Sequence, residues 1–219
     1  RTRAGTSTPM VAQAGRRFTH DWHLQAGVFW PLRAAGPDFV DDVSGVASIS
    51  SARVLLCSFE PPLRTLAPIV ERASQGDRPV VLIAPALHDK VLSMLAVERQ
   101  RGGLETLPLV PNEHGADHGA LLRTLAGWTG ARAWDPTGRT DPVLGEVEEL
   151  WADRSASFVV PTPRGFAGHV DGSDLVLAGD AAILDVGGET AVEVRRNLAE
   201  VAEHVRRTAP LASYLARGA

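Results

Sequence analysis

With 219 residues, 44% of them hydrophobic and 22% charged, the chain has a globular composition and the length to bury a sizeable core as one large or two small domains. A net charge of −4 argues against a nucleic-acid or anionic-membrane partner, since both favour a basic surface. The one cysteine, Cys57, excludes a disulfide within the chain, and no apolar run approaches the roughly 18 residues of a spanning helix. With no signal-peptide core near the start, the expected location is the cytoplasm.

Residues 1–17 are small, polar and basic without a period, and read as a flexible arm. Residues 18–52 predict strands and turns, punctuated by Gly36-Pro37 and Asp41-Asp42. From 54 to 134 the pattern is βαβαβ, for which right-handed crossovers are expected. Residues 54–57 and 80–84 are unbroken apolar runs, as in strands covered on both faces, so Cys57 is expected to serve packing. In the second helix Leu87, Val91, Met94 and Leu95 fall on one face at about 100° per residue and can dock on the sheet. Leu92, Ala96 and Val97 lie off that face, so this helix carries more apolar surface than one docking face needs. The first helix has the same surplus in Leu63, Leu66, Ala67, Ile69, Val70 and Ala73. It also holds Pro68, although an interior helical proline costs about 3 kcal/mol. Residues 135–153 predict a broken loop and a short helix over 143–151, and 158–186 predict short strands. An amphipathic helix over 189–208 carries Val192, Val194, Leu198, Val201 and Val205 as its stripe.

No catalytic motif stands out. Glu113, His114, Asp117 and His118 form an E-H-x-x-D-H cluster, and His20 with His23 an H-x-x-H pair. The cluster lies in a Pro- and Gly-rich loop without a helix to fix ligand geometry, so a solvated loop is the favoured reading over a metal site. No G-x-S-x-G elbow presents a serine, and Gly102-Gly103 and Gly187-Gly188 lack dinucleotide-binding spacing. The chain is not expected to be an enzyme and is assigned no cofactor and no metal. The rival reading is a small-molecule enzyme using loops 113–118 and 135–141 at the strand ends, where open α/β sheets bind ligands. A purely structural module, its apolar helices covered by the C-terminal helix or a sister chain, is a third.

Several segments in order carry a resemblance. An apolar strand is followed by a helix with internal Leu66-Ala67-Pro68, a Gly-x-x-Pro turn over 76–79, a second strand ending in Ala84, and a helix ending in Arg101-Gly102. Upstream stands Gly27-Val28-Phe29-Trp30-Pro31-Leu32; downstream come the segments 121–134, 158–172 and 179–194. Together these resemble the apical, polypeptide-binding domain of GroEL-type (group I) chaperonins, with a remnant of the intermediate domain, over about residues 26–205. Family members are much longer, because an equatorial ATPase domain surrounds the apical one. Here the nearest stretch to the family's phosphate loop, 4–8, has Ala4 in place of the magnesium-binding aspartate, Glu203 stands at the ATPase aspartate, and the intermediate-domain helix pair is missing after Gly172.

The resemblance implies a layered β/β/α fold: a β-sheet core flanked by two groove helices, in an apical-like unit over 18–178, then a strand and C-terminal helix over 179–219. It implies binding of apolar segments of non-native polypeptides at Val28, Trp30, Leu32, Arg33, Ala67, Val70, Leu92, Ala96, Val97 and Glu98. Arg33 and Glu98 depart from the Phe and Asn of the family, and Ala67 and Ala96 are smaller than their counterparts. ATP and magnesium would be used only by an equatorial domain in a longer protein. Recognition of a cochaperonin loop and homo-oligomerisation stay open.

Overall fold

A computed structural model describes residues 10–14, 19–74, 78–102, 105–112, 118–138, 140–163 and 177–208. In chain order the elements are β1 (Met10–Ala14), β2 (Asp21–Trp30), β3 (Leu32–Ala34), β4 (Ala47–Leu56), α1 (Leu63–Ser74), β5 (Val80–Ile83), α2 (Asp89–Gln100), β6 (Thr106–Pro111), α3 (His118–Thr129), β7 (Gly145–Ala152), β8 (Ser157–Pro161), β9 (Leu177–Val186) and α4 (Ala191–Thr208). The strands form one mixed sheet in the order β1-β9-β2-β8-β7-β4-β5-β6-β3. The fold is α/β, a sheet core flanked by helices with a C-terminal helix, in line with the class expected from the sequence.

Local composition explains the sheet's two halves. β4, β5 and β6 are parallel, and all four residues of β5 are buried, as in a strand with both faces covered. The first half of β4 instead alternates, with Ala47 and Ile49 buried and Ser48 and Ser50 exposed, where it pairs antiparallel with β7. α1 and α2 each link neighbouring parallel strands in the same direction, so right-handed crossovers place both on one face. Their inward side chains, Leu66, Ile69 and Val70 on α1 and Val91 and Leu95 on α2, join the main core cluster with the β4 and β5 runs.

The sheet curls strongly. Only Pro31 separates β2 from β3, yet the two stand third and ninth in the strand order, so the chain bridges the sheet's breadth at that point. β3 is tied to the β7–β8 turn, where the Ala34 amide donates to the Asp153 carbonyl at 2.8 Å. At the other end, the Gln13 Oε1 of β1 accepts from Ser48 Oγ of β4 at 2.9 Å and from Trp151 Nε1 of β7 at 2.8 Å. A second, aromatic cluster of Phe29, Trp151 and Phe158 fills the inside of this curl with Val11 and Ile183. α4 packs Leu198 and Val205 on Ala12 and Val186, and its first turn is capped by Thr190, whose Oγ1 accepts from the Glu193 amide at 3.2 Å.

Three stretches differ from the sequence reading. Met10–Ala14, placed in a flexible arm, is β1, paired in parallel with β9. The segment 143–151, read as a short helix, is from Gly145 on part of β7, whose start alternates buried Gly145 and Val147 with exposed Glu146 and Glu148. In α4 the stripe is narrower than expected, because Val192 is exposed and Ala202 takes a buried place. The rest of the arm and residues 164–176 lie outside the described residues.

Candidate functional site

The structure leaves a cleft where α1 and α2 begin. β4 ends at Leu56 and β5 at Ile83, and the loops that follow carry the chain into the two helices. Between the first turns of those helices lies a cleft of about 350 Å³, lined by Glu60, Pro61, Pro62, Leu63, His88, Lys90 and Val91. Both helix starts are well defined. The Pro62 carbonyl accepts from the Thr65 and Leu66 amides at 3.0 Å. His88 caps α2, its Nδ1 accepting from the Lys90 amide at 3.2 Å. At the far end, Arg99 Nη1 donates to the Phe39 carbonyl at 2.9 Å and pins the last turn of α2 to the body of the domain. Phe59, beside the cleft residue Glu60 in the chain, is exposed.

The ten sequence-predicted groove residues divide sharply. Val28, Trp30 and Leu32 are fully buried, and Val70 nearly so. The expectation that these four line an open groove therefore does not match their placement: they belong to the main core cluster. The reason is local. Val28 and Trp30 sit where β2 pairs with Val159 and Ser157 of β8, on a face packed into the core, and Val70 follows Ile69 on the sheet side of α1. Ala96 is also buried, at 9% exposure. Ala67, Leu92, Arg33 and Glu98 are half-buried, and Val97 is exposed. Of the ten, Val97 is the most open and Ala67 and Leu92 partly so, Leu92 packing against the main core cluster; the Glu98 carboxylate lies 3.6 Å from Arg101.

The loops of the rival reading show turn chemistry. Asp135 Oδ1 accepts from Thr137 Oγ1 at 2.7 Å and from the Thr137 amide at 2.8 Å, and these bonds hold its carboxyl below the ordinary range. Such a turn needs no ligand. His118 Nε2 donates to the Cys57 carbonyl at 3.2 Å, while Glu113, His114 and Asp117 lie outside the described residues. His20 Nδ1 accepts from the Gly187 amide at 3.3 Å, so half of the H-x-x-H pair joins β2 to the end of β9. Among the described residues no group of three His, Cys, Asp or Glu side chains is placed to hold a metal ion. Likewise, no described helix is long and apolar enough to cross a membrane.

No protein-family model matches the sequence. Among solved structures, the chain is similar to the chaperonin gp146 from the bacteriophage EL 2 (Pseudomonas aeruginosa), crystallised in presence of ATP-BeFx, with a TM-score of 0.51 and 16% identity. The likeness covers 97% of this chain and 47% of that one, so the chain spans about half the length of its structural neighbour. At this identity the likeness is one of fold: the chain has a chaperonin-like fold.

Proposed function

We propose that this chain is a chaperone-like polypeptide-binding module of the apical type, holding exposed apolar segments of non-native proteins against the outward face of α1 and α2. The observation that carries the reading is the cleft between the two helix starts, together with partly open Ala67 and Leu92 and exposed Val97 on helices whose inward faces are filled by Leu66 and Leu95. Apolar contacts impose little sequence requirement, so such a face suits many clients. Burying one leucine-sized side chain is worth about 1.5 to 3 kcal/mol, and a few such contacts leave micromolar affinity after ordering costs. A cochaperonin loop, if one is recognised, would be an apolar segment of the same kind. Binding of this sort needs no reaction and no cofactor, and nucleotide chemistry would belong to a further domain of a longer protein.

The test is aggregation of a chemically unfolded client, followed by light scattering with and without the chain. Suppression is expected near stoichiometric amounts. Leu92→Glu should abolish it at little cost in stability, since that position is already half solvated, whereas Val91→Glu should unfold the chain. If Leu92→Glu melts the protein as badly as Val91→Glu, the face is core and the reading is lost.

A further inference from the structure

We propose that the cleft between the starts of α1 and α2 selects its guest by charge, taking an extended segment whose apolar anchor residue stands between a basic and an acidic one. The proposal rests on the polypeptide-binding reading above and names the segment that the cleft accepts. Its apolar lining is buried Pro61 and Val91, half-buried Leu63 and exposed Pro62. The volume of about 350 Å³ is near the lower end of the roughly 300–1,000 Å³ of ligand pockets, too little for a helix about 10–12 Å across to enter. What enters is therefore one apolar side chain, with the extended backbone on either side of it.

The two sides of the cleft differ in sign. Glu60, on the approach to α1, brings a carboxylate, and Lys90, in the first turn of α2, an ammonium; both are exposed. Among the described residues neither of these side chains enters an ion pair or a hydrogen bond, so the two charges line one cleft without neutralising each other. His88 strengthens the cationic side. Its Nδ1 accepts from the Lys90 amide at 3.2 Å, so the neutral ring carries its proton on Nε2, a second donor on the lining of the cleft. Arg64 and Asp89, which carry the opposite signs on the same two helices, do not line it. A guest carboxylate thus meets two donors on the α2 side, and a guest ammonium or guanidinium meets Glu60 on the α1 side. A purely apolar segment leaves both charges unanswered, and one with two like charges is repelled from one side.

The experiment titrates four fluorescein-labelled peptides into the chain and reads anisotropy. All share a central leucine and differ only in its flanks, which are lysine and glutamate, lysine twice, glutamate twice, or glutamine twice. At low salt the mixed peptide should bind tightest, about five-fold above the glutamine peptide, as two exposed ion pairs allow, and the like-charge peptides should bind no better than the glutamine one. Lys90→Glu should move first place to the double-lysine peptide and Glu60→Lys to the double-glutamate one. Neither should shift the melting temperature, since both side chains are exposed and unbonded in the described structure. Salt at about 1 M, where the screening length is roughly 3 Å, should erase the ranking. Equal binding of the four peptides, binding of none, or a ranking that neither charge reversal alters would overturn the proposal. A dimer of the free chain that Lys90→Glu dissociates would assign the cleft to a second copy and overturn it too. Client aggregation separates this failure from that of the wider reading. If the chain suppresses aggregation yet ranks the peptides equally, only the charge rule falls; if it suppresses nothing, the polypeptide-binding reading falls and takes the charge rule with it.

Discussion

Two residues show how packing sets chemistry at the smallest scale. Burial pushes the Cys57 thiol from its ordinary 9.0 up to about 12, because the thiolate loses its hydration in the core. As pH rises through this window the unfolded chain sheds the proton and the folded chain keeps it, so stability falls between pH 9.0 and about 12. The loss is on the order of 4 kcal/mol at the top of the window, and urea midpoints of Cys57→Ala should lack this component of the pH dependence. The same thiol should resist alkylation until the chain unfolds. Gly27 is the second case. A Cβ there would lie 2.5 Å from the Val159 carbonyl oxygen and 2.6 Å from the Phe158 ring, and the carbonyl belongs to the paired strand and cannot swing away. Gly27→Ala should therefore cost about 1 to 3 kcal/mol, read as a lower melting temperature. The sequence showed that glycine only through its resemblance; the close approach that requires it appears once β2 and β8 are side by side.

Among the elements, α1 poses the sharpest question, since Pro68 sits inside the twelve residues of Leu63–Ser74 yet points to solvent. An exposed proline that the helix already accommodates also restricts the unfolded chain, which offsets part of its cost. Pro68→Ala should thus change stability by much less than the roughly 3 kcal/mol of bare propensity, as denaturant midpoints will measure. A gain near the full amount would mean that the helix only tolerates the proline. The βαβαβ region was legible because its strands are continuous apolar runs and its helices follow a 3.6-residue period. β7 was not, since Glu146, Glu148, Glu149 and Leu150 are good helix formers and their alternation is visible only against β4 and β8. The placement of the ten expected groove residues was half legible for a related reason. A helical wheel set Leu92 apart from Val91, and their burial differs accordingly, but periodicity does not report that Val28, Trp30 and Leu32 join the main core cluster.

For the molecule as a whole, the order of segments in the sequence was enough to suggest a chaperonin-like fold, while the curl of the sheet was not, because it arises from pairings far apart in the chain. Among the described residues no group of three His, Cys, Asp or Glu side chains is placed to hold a metal ion, and Ala4 stands where the resemblance would place a metal-binding aspartate. Calorimetric titration of the chain with Mg-ATP should accordingly be flat, and micromolar binding would contradict the non-enzymatic reading. The pairing pattern also has a consequence for how the molecule comes into being. Among the described residues β1 pairs with β9 alone, roughly 170 residues later, and β2 is bound along most of its length by that same late strand. On a ribosome adding about 5 to 20 residues per second, the first two strands wait on the order of ten seconds for their partner, with Trp22 and Leu24 open to whatever is nearby. Nascent chains released before residue 177 are left with an unfinished sheet and should be found among the insoluble products of synthesis, so the yield of folded protein is set by how quickly the last strand is delivered.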